Sequence, residues 1–386
     1  MFILKSSPSA YTDPWQSTFD ERLRRLGKGR RRVAYYYDYP DNSTFRYRVY
    51  NMIQVLEGSR QGASAAYFSY EEQDRLDQVV DLADVLVICR ARYNHRLNQV
   101  VGRAHRLDKP VIYDVDDMVF DLAYAHLIMD TVGEDLGKAS TWDYWFGYIS
   151  RLNATLQLCD RAITTNPTLA GYLRDFTHKP VSVIPNFINR EQLAVSDPIF
   201  QEKTSRGFER DGRVHLGYFS GTPTHYKDFE LISDTLLELL RRDERIHLRL
   251  VGFIDLKPPL SRYADRIELT PLTDFLSLQH KISEVEINLV PLLENNFTNC
   301  KSELKYFEAA IVGTLTVASP IDSFKQAIRD GENGYLARSY EWIDKISTLI
   351  DSLDRYPEMA ALARQDSLDR FAWTKQLDLI ERTLFS

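Results

Sequence analysis

The strongest constraint on this chain is a rhythm. Short apolar runs at residues 33–37, 65–68, 84–89, 110–114, 162–165 and 181–184 alternate with helical stretches at 46–56, 71–82, 92–107, 142–159 and 167–176. A run that is apolar at nearly every position is a strand buried on both faces, which is the condition of a parallel sheet covered by helices. A polar segment, residues 196–213, separates this series from a second. There the strands fall at 214–219, 247–251, 266–269, 287–290 and 315–318, with a helix at 228–242. Two such series predict an α/β chain of two doubly wound, Rossmann-like domains, residues 1–195 and 196–370. Sheets of this kind bind ligands at the carboxyl ends of their strands, so the cleft between facing domains is the expected site.

Two segments fall outside the rhythm. Residues 13–26 read as an exposed helix, followed by the basic run Lys28-Gly-Arg-Arg-Arg32. That run is either a solvated loop or a contact for anionic lipid. Residues 370–384 read as one closing amphipathic helix, with Phe371, Trp373, Leu377, Ile380 and Leu384 on a stripe.

Composition narrows the function. A net charge of −7 gives no global support to nucleic-acid binding. The three cysteines, Cys89, Cys159 and Cys300, have no metal-ligand spacing and read as buried free thiols in a reducing compartment. No run reaches the length of a membrane span, and the apolar start is too short for a signal peptide. The expected location is cytoplasmic, with peripheral contact to a membrane left open. The 22 tyrosines suit a sugar-stacking surface and a tyrosine-rich core equally well.

Four groups of residues have chemical potential. In Tyr218-Phe-Ser-Gly-Thr-Pro-Thr-His-Tyr-Lys227-Asp228 a strand meets the small residues Ser220, Gly221 and Thr222, then His225 and Lys227. Small residues let backbone N–H groups approach an anion, and Lys227 adds a full charge; a plain strand-to-helix turn has the same composition. Lys301, Lys305 and Glu308 recur at helical spacing before Gly313, so they share one face of an expected helix. Two cations there suit a diphosphate, although the spacing also describes a solvated helix. Asp114, Asp116 and Asp117 end a strand and can hold a metal, act as a base, position acceptor hydroxyls or merely shape a turn. Arg46 and Arg48 follow the first strand and can meet an anionic acceptor or pair with Asp38 or Asp41.

In this order the pieces resemble a retaining glycosyltransferase of the two-Rossmann GT-B fold, and most closely family 4. The resemblance covers nearly the whole chain. It is carried by residues 219–228 and by Lys301-Ser-Glu-Leu-Lys-Tyr-Phe-Glu308-Ala-Ala. Val183-Ile-Pro-Asn186, Gly331-Glu-Asn-Gly-Tyr335 and Phe371-Ala-Trp373 stand at matching places. It implies that the C-terminal domain holds a sugar nucleotide, with Glu308 on the ribose hydroxyls, Lys227 on the diphosphate and Gly221 as the loop glycine. It also implies that the closing helix, 371–386, crosses back to the N-terminal domain.

Two positions depart from the family pattern. The first Glu of its paired-Glu signature falls at Cys300, and its usual Arg falls near Thr222. Lys301 or Lys305 would restore the charge, and Glu303 would take over sugar contacts. The implied activity is transfer of a sugar from a nucleotide-diphosphate sugar to a glycan or lipid-linked hydroxyl acceptor, in bacterial-type surface polysaccharide or glycoconjugate synthesis. No metal and no other cofactor is expected. The roles that follow are catalysis for Lys227, Lys301 and Asp117, and donor binding for Ser220, Gly221, Thr222, His225, Glu303, Lys305 and Glu308. Arg46, Arg48 and Asp116 would bind the acceptor. The alternative, favoured by the missing Glu, is a catalytically silent sugar-nucleotide-binding or scaffold subunit.

Overall fold

The computed structural model describes residues 1–386 except 6–9, 222–225 and 255. Every strand expected from the apolar runs is present. The first sheet holds β1 (Arg31–Tyr37), β2 (Ala63–Ser69), β3 (Val85–Cys89), β4 (Val111–Val115), β5 (Arg161–Thr164) and β6 (Val181–Val183). Its order is β2-β1-β3-β4-β5-β6 and its pairings are parallel, with Val33 opposite Ala65 on one side and Val85 on the other.

The second sheet holds β7 (Val214–Ser220), β8 (Ile246–Gly252), β9 (Ile267–Thr270), β10 (Ile287–Val290), β11 (Leu315–Ala318) and a two-residue β12 (Tyr335–Leu336). Its order is β12-β11-β10-β7-β8-β9, again parallel. Strand order reverses between β1 and β3 and between β7 and β10. Such reversals open a crevice at the carboxyl ends of the strands, which is where a ligand fits. Gly252, at the end of β8, has φ +103°, and a Cβ there would lie 1.9 Å from the Ser220 carbonyl oxygen. Only glycine allows β8 to close this tightly on the end of β7.

Four expectations need correction. The helix Arg190–Ser205 spans the expected boundary at 195/196. The first helix is Phe19–Leu26, capped by Thr18, and it buries Phe19, Arg22 and Leu26 rather than lying exposed. In the basic run, Arg32 grips Asp84 and Arg31 covers the Phe385 ring, so these two serve the fold. The closing segment is two helices, Tyr356–Phe371 and Leu377–Phe385, broken at Ala372, where the chain turns out of helical geometry.

That break is the crossing point. Ile188 N–H donates to the Phe371 carbonyl at 2.8 Å, and Trp373 N–H donates to the Ile188 carbonyl at 3.0 Å. Beyond it, the helix Leu377–Phe385 packs on the helix Asn51–Leu56 of the N-terminal domain, and the Ser59 hydroxyl donates to Glu381. Phe2 makes the reverse trip, packing on Phe208 and Tyr356 of the second domain. A single apolar cluster therefore runs from Val33 and Ile112 in the first sheet to Leu216 and Leu289 in the second. Cys89, Cys159 and Cys300 are buried free thiols. Among the described residues no helix is long and apolar enough to cross a membrane.

Candidate active site

The carboxyl end of β7 leads through Ser220 and Gly221 toward the helix Tyr226–Arg242; Thr222 and His225 lie outside the described residues. Lys227, on the first turn of that helix, donates to Asp130 Oδ1 of the N-terminal domain at 2.7 Å. Lys301 comes from a segment far away in sequence. Its Nζ stands 3.7 Å from Asp117 Oδ2 and 4.6 Å from the centre of the Phe297 ring. Each expected catalytic lysine thus reaches across the cleft to a carboxylate of the other domain.

Lys305 stays inside its own domain, 5.4 Å over the Tyr218 ring. Burial lowers its pKa, while the nearby Asp228 pulls the other way and Lys301 adds to the lowering. Asp228, next to Lys227 in the chain, accepts from the Leu293 N–H at 3.2 Å. The two lysine-bearing segments therefore share one electrostatic environment. The expected helical face does not exist as drawn, because the helix spans only Leu304–Ala310 and Lys301 precedes it in a loop.

Glu308 is buried, and N-terminal-domain and linker side chains hold it. Tyr47 Oη donates to it at 2.5 Å, Arg46 at 3.2 Å and Gln192 Nε2 at 3.3 Å. The Arg46 guanidinium also lies 4.0 Å over Tyr47 and 4.6 Å over Phe275, and its Nη1 has no protein partner among the described residues. Arg46 therefore contacts a carboxylate of the second domain instead of presenting itself to an acceptor.

Arg48 is a clearer correction. It is fully buried and bidentate on Asp114, at 2.8 and 3.0 Å, with Nη1 on the Ile184 carbonyl and Asn186. With four of its five N–H donors so committed and no solvent exposure, this guanidinium does not present itself to an acceptor. Burial raises the pKa of Asp114, and Arg48 counters it. Burial works on Asp116 as well, but Arg90, at 3.0 Å, and the Thr44 hydroxyl, at 2.7 Å, outweigh it and hold Asp116 below its ordinary value. Of the three aspartates, Asp117 is the one that faces a lysine of the second domain, Lys301. Among the described residues no three His, Cys, Asp or Glu side chains converge as a metal site.

Residues 213–352 match the protein family described as glycosyl transferases group 1. The second domain is a glycosyltransferase domain. Around it the whole chain has the GT-B fold of several solved structures. HepE of Anabaena, solved with UDP and glucose, is 13% identical, with a TM-score of 0.59 over 91% of this chain and 98% of that one. Sucrose-phosphate synthase of Thermosynechococcus elongatus is 14% identical, with a TM-score of 0.58 over 92% and 99%. The pneumococcal O-GlcNAc transferase GtfA, solved with UDP and GlcNAc, is 16% identical, with a TM-score of 0.54 over 82% and 60%. No curated protein matches the chain by sequence.

In the glycosyltransferase domain, position 300 offers no carboxylate. Cys300 is buried, and its carbonyl accepts from Asn166 Nδ2 of the other domain at 2.7 Å. Glu303 lines a cavity of about 310 Å³ between residues of the two domains. Sequence reasoning missed Tyr47, Gln192 and Asp130, which complete the cross-cleft contacts. Tyr47 is adjacent to a suspected arginine, whereas Asp130 and Gln192 stand in segments with no motif at all.

Proposed function

We propose that this chain is a retaining glycosyltransferase that moves a sugar from a nucleoside-diphosphate sugar to a hydroxyl acceptor. The observation that carries this reading is the meeting of Lys227 and Lys301, from separate segments of the glycosyltransferase domain, with carboxylates across one cleft. Those carboxylates stand where a diphosphate would compensate the same charges. When the sugar–phosphate bond breaks, negative charge grows on the leaving phosphate, and fixed cations stabilise that state more than the ground state. Lys227 and Lys301 would supply this stabilisation without a metal. Retention follows if the leaving oxygen accepts the acceptor's proton on the face it vacates. Asp117, released from Lys301 by the donor, would orient that acceptor.

The neighbours' complexes with UDP support uracil as the base. A glycan or lipid-linked acceptor of the bacterial-surface type, met at the cytoplasmic side of a membrane, completes the proposal. A second reading, a silent sugar-nucleotide-binding subunit, is favoured by the buried Cys300 where a carboxylate is expected.

The test is hydrolysis and transfer of UDP-glucose, UDP-galactose, UDP-N-acetylglucosamine and GDP-mannose, with and without excess EDTA. Turnover of one of them that persists in EDTA is expected. Binding of UDP without any turnover selects the silent subunit, and a magnesium-reversible loss returns Asp114 to Asp117 to metal binding.

A further inference from the structure

The two oxygens of the Glu308 carboxylate are treated very differently. Tyr47 Oη, Arg46 Nη2 and Gln192 Nε2 all donate to one of them, Oε1, at 2.5, 3.2 and 3.3 Å. Oε2 accepts from none of the described residues, and it is not sealed from solvent. Tyr47 and Arg46 belong to the first domain and Gln192 to the helix Arg190–Ser205, whereas Glu308 stands on the helix Leu304–Ala310 of the second domain.

The sequence arranges this convergence locally. Consecutive residues on a helix do not ordinarily face one point. Here a π-helical turn, Arg46–Tyr50, carries both, and the Arg46 guanidinium folds 4.0 Å over the Tyr47 ring, so the two meet at a single oxygen. Turns of this kind recur at functional sites. Burial holds the Tyr47 pKa well above its ordinary value, with Arg46 pulling the other way and Glu308 reinforcing the rise, so the hydroxyl stays a donor to the carboxylate. An ionised carboxylate only accepts, so whatever meets Oε2 must bring O–H or N–H groups. Lys305, on the same short helix, senses the charges of both Glu308 and Lys301. In a nucleoside diphosphate held at the lysines, the donors nearest the phosphates are the ribose hydroxyls.

We infer that Tyr47, backed by Arg46 and Gln192, is a positioning residue for the nucleotide: it fixes Glu308 Oε1 from across the cleft and so presents Oε2 to a ribose hydroxyl. A carboxylate already fixed has less rotamer freedom to lose on binding. The inference rests on the nucleotide-sugar reading, and it adds that the first domain sets how well ribose is told from deoxyribose.

Calorimetric titration of UDP, 2′-deoxy-UDP and 3′-deoxy-UDP into the wild type, Tyr47→Phe, Glu308→Gln and the double variant tests this. The wild type should prefer UDP over at least one deoxy analogue by about tenfold, the worth of a charge-assisted hydrogen bond. Glu308→Gln should abolish that preference. Tyr47→Phe should cut it to about threefold or less by weakening UDP alone, because the supporting contact is gone while the carboxylate remains. Adding Tyr47→Phe to Glu308→Gln should change nothing more. The Phe ring keeps its packing on Phe307, and Arg46 and Gln192 still hold Oε1, so the single variant should fold. A full preference in Tyr47→Phe, equal weakening of all three ligands, or tighter UDP binding overturns the inference while Glu308 keeps its ribose role. A preference that survives Glu308→Gln removes that role and the inference with it. Absence of UDP binding to the wild type strikes the proposed function itself.

Discussion

Buried charge separates the residues that build this molecule from those that serve its chemistry. Arg48 and Asp114 satisfy one another completely in the core of the first domain. Removing one partner strands the other, at a cost of about 3–5 kcal/mol. Arg48→Met should therefore lower the unfolding free energy measured in urea by that amount and, where folded, leave UDP affinity unchanged. Glu303 is the opposite case. Burial pushes its carboxyl up from 4.5 to about 7, with its own backbone N–H and Arg370 pulling back. The folded chain then keeps a proton that the unfolded chain has lost, so this group's contribution is full below about pH 4.5 and falls as the pH rises to about 7. Urea midpoints of the wild type and Glu303→Gln, taken from pH 5 to 8, should diverge in the variant's favour as pH rises. Parallel curves would mean that Glu303 titrates as an ordinary surface carboxylate.

At the level of elements, what the sequence made legible was what burial makes periodic. β1, β3 and β10 are buried along most or all of their length and announce themselves as continuous apolar runs. The helix Arg190–Ser205 does not. Its buried positions include Gln192, Ser196 and Lys203, each satisfied by a polar partner: Glu308, Gln279 and the Gly313 carbonyl. With Pro198 inside it as well, it reads as a polar linker. Lys227 and Lys301 were legible as charges, whereas their partners Asp130 and Asp117 are set by how the two domains meet, which no local spacing encodes.

The crossing helix was legible from its stripe, but the break at Ala372 was not, because Phe371 and Trp373 look like one continuous apolar face. Deleting residues 377–386 should expose the Asn51–Leu56 helix and lower hydrogen-exchange protection in β1 and β2, with β10 and β11 keeping theirs. Equal loss in both sheets would mean that the helix holds the whole molecule rather than the first domain.

Taken whole, the molecule is two sheets connected by a segment that includes the helix Arg190–Ser205, by a crossing chain and by cross-cleft side-chain pairs. Those pairs occupy the same cations that a diphosphate would need. Lys227 and Asp130 are partly exposed, so their pairing is worth at most about 1 kcal/mol. Asp130→Asn should accordingly tighten UDP binding by about two- to fivefold. An unchanged or weaker affinity would mean that Asp130 does not compete with the nucleotide.

The central claim is that two lysines from distant segments grip one diphosphate, and calorimetric titration of UDP and uridine into the wild type, Lys227→Ala and Lys301→Ala tests it most directly. One UDP should bind per chain, and each substitution should weaken it about tenfold, the worth of a charge-assisted hydrogen bond, while weak binding of uridine stays the same in all three proteins. UDP binding that is absent from the wild type, or unaltered by either substitution, would contradict the account.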